Sequence, residues 1–386
     1  MKFFAPFIAT IFFVAGQPQA AEFTFSAFHD QNPQTPWPTQ EWPRSPLPST
    51  ADTATIHRIA DTLMANDQVE ALGLSHALVI VQEGRIVYER YAEGYSCDGI
   101  AHTMSIAKMM GATIAGVMHG DGMIDIEAPA DIPAWHKKKA DPRGAITHAH
   151  ILQMTSGLQW NEMMDLLGMA FGGGYEDIAQ YVIDKPLAYP PGTHFQYSDG
   201  APGLIGYILR NKLDGGADEV AAFFNDRILH PLGMINTEAE FDKKGTWYGA
   251  SGIRWSPCDL ARFSHFLLRD GVWEEARILP DGWVDYMRSP TPASIAPGAE
   301  LRTYRKAGYG LATFVYDIDF ETDVIDLDSF GHVGFGGSVL KIIPTKDAAI
   351  LLYGAKAFDE AFTRRIDFVH ELGAALPEPK QASPSP

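Results

Sequence analysis

Two residues three apart, Ser105 and Lys108 in the stretch HTMSIAKMM, have the types and spacing for covalent chemistry. On a helix, positions i and i+3 share a face, so the lysine amine can reach the serine hydroxyl. The run continues GATIAGVMHGDG, and Ile106, Met109, Met110, Ile114, Val117 and Met118 fall at helical spacing on most faces, which predicts a buried helix. Burial disfavours an ammonium, so a lysine there is a candidate proton acceptor for a serine nucleophile. A serine near a helix start also has a free backbone N–H and the positive end of the dipole beside it, both suited to a developing oxyanion. S-x-x-K alone also recurs by chance, as an ordinary serine beside a lysine that snorkels to water.

Two further stretches add to it. PPGTHFQYSDG, residues 190–200, sets Tyr197 just after a Pro-Gly turn. FGHVGFGGSVLKIIP, residues 330–344, is a glycine-dense approach to a strand. There Gly334, Gly336 and Gly337 would let a substrate come close to the backbone, as a second oxyanion N–H requires; the plainer reading is a β-bulge at a sheet edge. No helix and no Gly-Lys-Ser follows, which argues against a phosphate loop. His148 and His150 are two apart, share a face only on a strand and have no evident third ligand, so no metal is expected. Trp160, Asn161 and Glu162 follow a Ser-Gly turn and either line a cleft or start a helix over a packed Trp. Trp247 and Tyr248 are either a pocket wall or plain packing.

These residues need a scaffold. HALVIVQEGRIVYERYAEG reads as two β runs, 76–82 and 85–91, joined at Glu83-Gly84, after a helix at about 53–70. Residues 103–260 carry mostly helical patterns, and from about 308 the chain turns β again in YGLATFVYDI, SVLKIIP and AAILLYGAK. The expected fold is therefore mixed α/β, with an antiparallel sheet built from both chain ends and flanked by helices. Residues 53–105 and 300–375 would form this α/β domain, and 106–299 an inserted, mostly helical region, with the site in the cleft between. Residues 22–52 would be an extended arm on the surface, since 31–50 hold six prolines. The tail 376–386, PEPKQASPSP and the residue before it, is expected to be disordered.

The chain has 386 residues, is 46% hydrophobic and carries a formal net charge of −18, which argues against nucleic acid as a partner. Its one basic cluster, His136 to Lys139, reads as a solvated turn. Lys2, the apolar run FFAPFIATIFFVAG and the small residues of QPQAAEF read as a signal peptide over 1–21, which implies a periplasmic or secreted protein without stable membrane insertion after cleavage. An uncleaved anchor is the alternative. Cys97 and Cys258 could pair in an oxidising compartment, but the plainer expectation is two buried free thiols.

Taken in order, LVIVQEGRIVYERY, MSIAKMM, LQMTSGLQWNE, PPGTHFQYSDG, SGIRWSPCDLARFSHFLLRDG and GHVGFGGSVLKIIP resemble the serine β-lactamase-like, penicillin-recognising hydrolases over about residues 74–355. The likeness is strongest to the class C-type branch that includes 6-aminohexanoate-dimer hydrolases and related esterases. It implies the β-lactamase/transpeptidase-like fold and no cofactor. By position, Ser105 matches the nucleophile, Lys108 its deprotonating partner and Tyr197 the tyrosine of Y-x-N, which passes a proton to the leaving group. Phe335 matches the residue whose N–H joins that of Ser105 in the oxyanion hole. His332, Gly334, Asp199 and Trp160 are implied substrate-binding positions, and His150 fits a structural histidine. Two departures stand out. Asp199 replaces the Asn of Y-x-N, and His332 stands where lactamases carry the Lys of K-T-G. Both weaken affinity for a substrate carboxylate. The expected activity is hydrolysis of a small ester or amide through an acyl-enzyme on Ser105. The rivals are a β-lactamase or D,D-peptidase of the same mechanism, and a catalytically silent binding or sensor protein.

Overall fold

Leu74–Gln82 and Arg85–Tyr91 form an antiparallel hairpin that turns at Glu83 and Gly84, both at positive φ, 50° and 72°. Such a turn matches the twist of the flanking strands, and glycine adopts it at no steric cost. The computed structural model describes residues 22–171, 174–321 and 324–379. Within them the hairpin is one end of a seven-stranded antiparallel sheet. Its order is Arg85–Tyr91, Leu74–Gln82, Ala348–Ala355, Ser338–Ile343, Phe330–Gly334, Phe314–Val315, Gly308–Tyr309. N- and C-terminal segments meet in mid-sheet, where Ile80 pairs with Ile350. The mixed α/β sheet built from both chain ends is therefore present.

Both faces of the sheet are covered, which explains the unbroken apolar runs LVIV and AAILL. On one face Leu78, Ile80, Ile350 and Leu352 pack with Ile56, Ile59 and Leu63 of the helix Thr53–Met64 and with Val369 and Leu372 of the helix Asp359–Ala375. On the other, Val79, Val81, Leu351 and Tyr353 join a larger core with the helices Lys108–Gly120 and Pro257–Leu268. Arg365 of the last helix is fully buried and donates to Gly337 O (2.7 Å), Leu72 O (3.1 Å) and Ser75 Oγ (2.9 Å). That bond clamps the glycine turn after Phe330–Gly334.

Several expectations need correction. The helix Pro257–Leu268 packs directly on the strand Ala348–Ala355, so the sheet's helical layer takes residues placed in the inserted region. That region also holds a small sheet of Ala101–His102, Ile253–Trp255 and Thr237–Ala239. The helix expected at 53–70 stops at Met64, because Ala65 takes an extended backbone (φ −74°, ψ 130°). YGLATFVYDI is two short strands, because Ala312 between them has φ 46°. The proline-rich arm is more than a surface layer. Glu22–Phe25 pairs in parallel with Val324–Leu327, and Trp42 is buried, its indole donating to Cys258 O at 3.0 Å. The tail is ordered further than expected: Leu376 is buried and Pro377 O accepts from Gln82 Nε2 at 2.8 Å. The expected signal peptide, 1–21, and the end of the tail, 380–386, lie outside the described residues.

Cys97 and Cys258 are not free thiols. They form a disulfide, with Cα atoms 5.0 Å apart, that ties the segment before Ser105 to the start of Pro257–Leu268. Among the described residues, no helix is long and apolar enough to cross a membrane.

Candidate active site

The segment that carries Ser105 is held from three sides. Trp255 Nε1 donates to Thr103 Oγ1 at 2.6 Å. Met104, which is not glycine, sits at φ 50°, so the backbone is strained immediately before Ser105. The strand Phe330–Gly334 lies so close that a Cβ on Gly334 would fall 1.9 Å from Thr103 O. Only glycine permits this approach. A 3₁₀ turn, Met104–Ala107, then leads into the helix Lys108–Gly120.

Lys108 is fully buried. Its ammonium donates to Ser105 Oγ (2.9 Å), Asp199 Oδ1 (2.6 Å) and Ala250 O (3.1 Å), so all three protons have acceptors. Tyr197 is also hydrogen-bonded to Ser105, and its ring lies 4.9 Å from Lys108 Nζ. Burial, then the Asp199 charge, then Glu162 hold the Tyr197 phenol well above its ordinary pKa. Tyr197 therefore rests as a neutral proton donor.

Asp199 is the joint of the site. Burial would raise its pKa, but the Lys108 charge and hydrogen bond, with a hydrogen bond from Glu162, outweigh it and hold the carboxyl below its ordinary range. For Glu162, burial and next the Asp199 charge push the carboxyl up to about 7. Trp160 Nε1 donates to Glu162 Oε2 at 2.5 Å. Asp199 and Ala250 border a cleft of ≈ 550 Å³, whose walls include Leu166, Met169, Tyr248 and Glu240.

Ser105, Lys108, Tyr197 and Asp199 thus converge as the sequence suggested, although Asp199 binds Lys108 rather than standing free for substrate. Three implied substrate contacts are displaced. His332 is fully buried; its Nδ1 meets Val333 O at 2.8 Å and its Nε2 lies 3.4 Å from Tyr309 Oη. Burial, followed by the Lys108 charge, pushes this imidazole down to about 3, so it is neutral and offers no cation. Gly334 is a backbone spacer against Thr103, and Trp160 is a buried prop for Glu162. Phe335 follows the strand beside Ser105, with its side chain exposed and tilted against Phe358, ring centroids 5.1 Å apart.

The remaining candidates are settled locally. His148 Nδ1 meets Asp125 O at 2.9 Å, and His150 Nδ1 accepts from Thr147 N at 3.2 Å as part of a helix cap. Tyr248 lines the cleft, while Trp247 is core, its indole bonded to Gly252 O at 2.7 Å. Two participants escaped the sequence reading, the Ala250 carbonyl and the apolar wall from Leu166 and Met169. The only hint was GTWYGASG, whose small residues let a backbone carbonyl approach Lys108.

A sequence model of the beta-lactamase family matches residues 57–374. The chain belongs to the beta-lactamase family. Members of this family are serine hydrolases, which agrees with Ser105 held between Lys108 and Tyr197. A Bacillus anthracis protein assigned as a 6-aminohexanoate-dimer hydrolase superposes with a TM-score of 0.67 at 21% identity, covering 92% of this chain and 93% of that one. The D-alanine carboxypeptidase AmpC of Burkholderia cenocepacia gives 0.58 at 17% identity, covering 84% and 98%. A family VIII carboxylesterase gives 0.59 at 16% identity, covering 85% and 99%. At these identities the likeness establishes a shared fold, and the chemistry must be argued from the site.

Proposed function

We propose that this protein hydrolyses a small, uncharged ester or amide through an acyl-enzyme on Ser105. One observation carries the reading: Ser105 Oγ accepts from Lys108 at 2.9 Å and contacts Tyr197, while two of Lys108's acceptors border the ≈ 550 Å³ cleft. The Lys108 ammonium first gives one proton to solvent through the cleft, and the resulting amine takes the serine proton as Ser105 Oγ bonds to the carbonyl carbon. The backbone N–H groups of Ser105 and Phe335 are assigned to the oxyanion. Tyr197, a neutral phenol, protonates the leaving oxygen or nitrogen as that bond breaks. Water then cleaves the acyl-enzyme by the reverse proton path.

The charge of the cleft supports uncharged substrates. Among the described residues, its lining includes the carboxyls of Asp199 and Glu240 and no lysine, arginine or histidine, and Glu240 is near Arg254 (3.4 Å) and His102 (3.6 Å). His332, at the lactamase lysine position, is neutral and buried. We therefore expect kcat/KM for p-nitrophenyl acetate to exceed that for nitrocefin, which bears a carboxylate; the opposite order would favour a β-lactamase or D,D-peptidase. Ser105→Ala should lose several orders of magnitude of ester hydrolysis while staying folded. Retention of more than about a tenth of the activity would return the protein to the binding or sensor reading.

We extend the proposal to a periplasmic or secreted location. The charged and apolar pattern of residues 1–21 supports it, as does the Cys97–Cys258 disulfide, a bond that persists in oxidising compartments. Mass analysis of the mature protein from fractionated cells tests it, and an intact Met1 in a cytoplasmic fraction would refute it.

A further inference from the structure

We infer that Glu162 is a positioning residue for this reaction: it shares one proton with Asp199, and that proton keeps Asp199, and through it Lys108, in place on Ser105. This inference rests on the acyl-enzyme reading above.

The geometry requires the proton. Asp199 gives one oxygen to Lys108 at 2.6 Å and is in hydrogen-bond contact with Glu162. Two carboxylates cannot hydrogen-bond unless one of them is protonated. Asp199 is the anion, because the Lys108 ammonium touches it directly. Glu162 is therefore the acid. Its other contact, from the Trp160 indole at 2.5 Å, holds the carboxyl in place. An asparagine at 199 could accept from Lys108 and donate from its own amide. An aspartate has no donor, so the chain must bring one from another element, and the start of the helix Glu162–Phe171 supplies it.

Ionisation of Glu162 would have a definite sign. The charged and titratable groups around it are Asp199, Lys108 and Tyr197 in the network, His332 behind Asp199, and the Lys185–Asp165 ion pair beside Trp160. Glu240 lies across the cleft, next to Arg254 and His102. His332 is neutral and Lys185 is already engaged by Asp165. Loss of the Glu162 proton thus leaves two adjacent carboxylates competing for one ammonium. They repel each other, and they oppose negative charge at the carbonyl. The reaction slows as pH rises through the Glu162 titration.

The test is the rate at which a fluorophosphonate acylates Ser105, followed by intact-protein mass from pH 5.5 to 9 in wild type, Glu162→Gln and Glu162→Ala. Wild type should slow by about tenfold per pH unit once past a break near 7, the behaviour of one essential proton. Glu162→Gln, an amide that donates to Asp199 at every pH, should keep the pH 6 rate within about threefold and lose that break. Glu162→Ala, with no donor, should be at least about tenfold slower at pH 6. A wild-type break that survives in Glu162→Gln, or an alanine variant as fast as wild type, overturns the inference while leaving the hydrolase reading intact. A wild type unlabelled at Ser105 at every pH overturns both. Infrared difference spectra of wild type between pH 6 and pH 8 need no variant: they should show a carboxylic-acid carbonyl band that disappears, and its absence also overturns the inference.

Discussion

Gly334→Ala is predicted to cripple catalysis in a protein that still folds, and the structure sets the scale. A Cβ at this position would lie 1.9 Å from the carbonyl oxygen of Thr103, two residues before the nucleophile. Real contacts of this kind are rarely below 3.0 Å, so the strand and the Ser105 turn must separate by at least about 1 Å. Both atoms belong to backbone, so no side chain can swing away to absorb the change. The displaced strand leads directly into Phe335, whose N–H is assigned to the oxyanion. An ångström of misplacement in a positioned group typically costs about 10²-fold in rate, whereas overpacking costs about 1–3 kcal/mol of stability. The assay is kcat for p-nitrophenyl acetate beside a urea melt. Gly111→Ala, in the helix of Lys108, is the control, because its Cβ would meet Trp247 at an ordinary 3.5 Å. Wild-type kcat in folded Gly334→Ala would show that this strand takes no part in stabilising the transition state.

Lys108→Ala and Tyr197→Phe should each cost about 10²-fold or more in kcat, and the double variant should lose far less than the product of the two, since both groups lie on one proton path. Losses that simply multiply would mean that one of them is only structural. Replacing Cys97 and Cys258 together by Ala should lower the unfolding free energy of the oxidised protein by about 2–5 kcal/mol, because the bridge spans a sequence separation of 161 residues in the unfolded chain. An unchanged denaturation midpoint, with both proteins shown by mass to be in the expected redox state, would refute that contribution.

The parts of this molecule set by local sequence were legible. The two apolar, β-branched runs of LVIVQEGRIVYERY placed the hairpin, and Glu83-Gly84 placed its turn. The spacing of Ser105 and Lys108 placed their contact at 2.9 Å, because the turn and helix fix where such side chains point. What could not be read depends on long-range packing. His332 was implied as a substrate contact because it stands at the lactamase lysine position, but its burial is decided by Tyr309 and Phe314, distant in sequence, which pack around it. Asp199 looked like a repulsive charge for substrates. Its pairing with Lys108 and Glu162 needs three separate segments to meet. The disulfide was equally hidden, since two cysteines give no spacing pattern, and their proximity follows from the helix Pro257–Leu268 docking on the sheet.

The strand Ala348–Ala355 sits in mid-sheet, bonded on one side to Leu74–Gln82 and on the other to Ser338–Ile343. It is the last strand of this sheet to be made, yet it pairs in the sheet's middle. A chain still on the ribosome can contain Ser105, Lys108 and Tyr197 while Leu74–Gln82 has an unpaired edge, and its apolar residues Leu78 to Val81 lack half their cover. Contacts between such remote segments close slowly, and open edges invite pairing with other chains. Until that strand has emerged the sheet is incomplete, and its apolar edge is open to pairing with other chains. Activity should then arrive all at once, when that strand inserts, rather than growing with chain length.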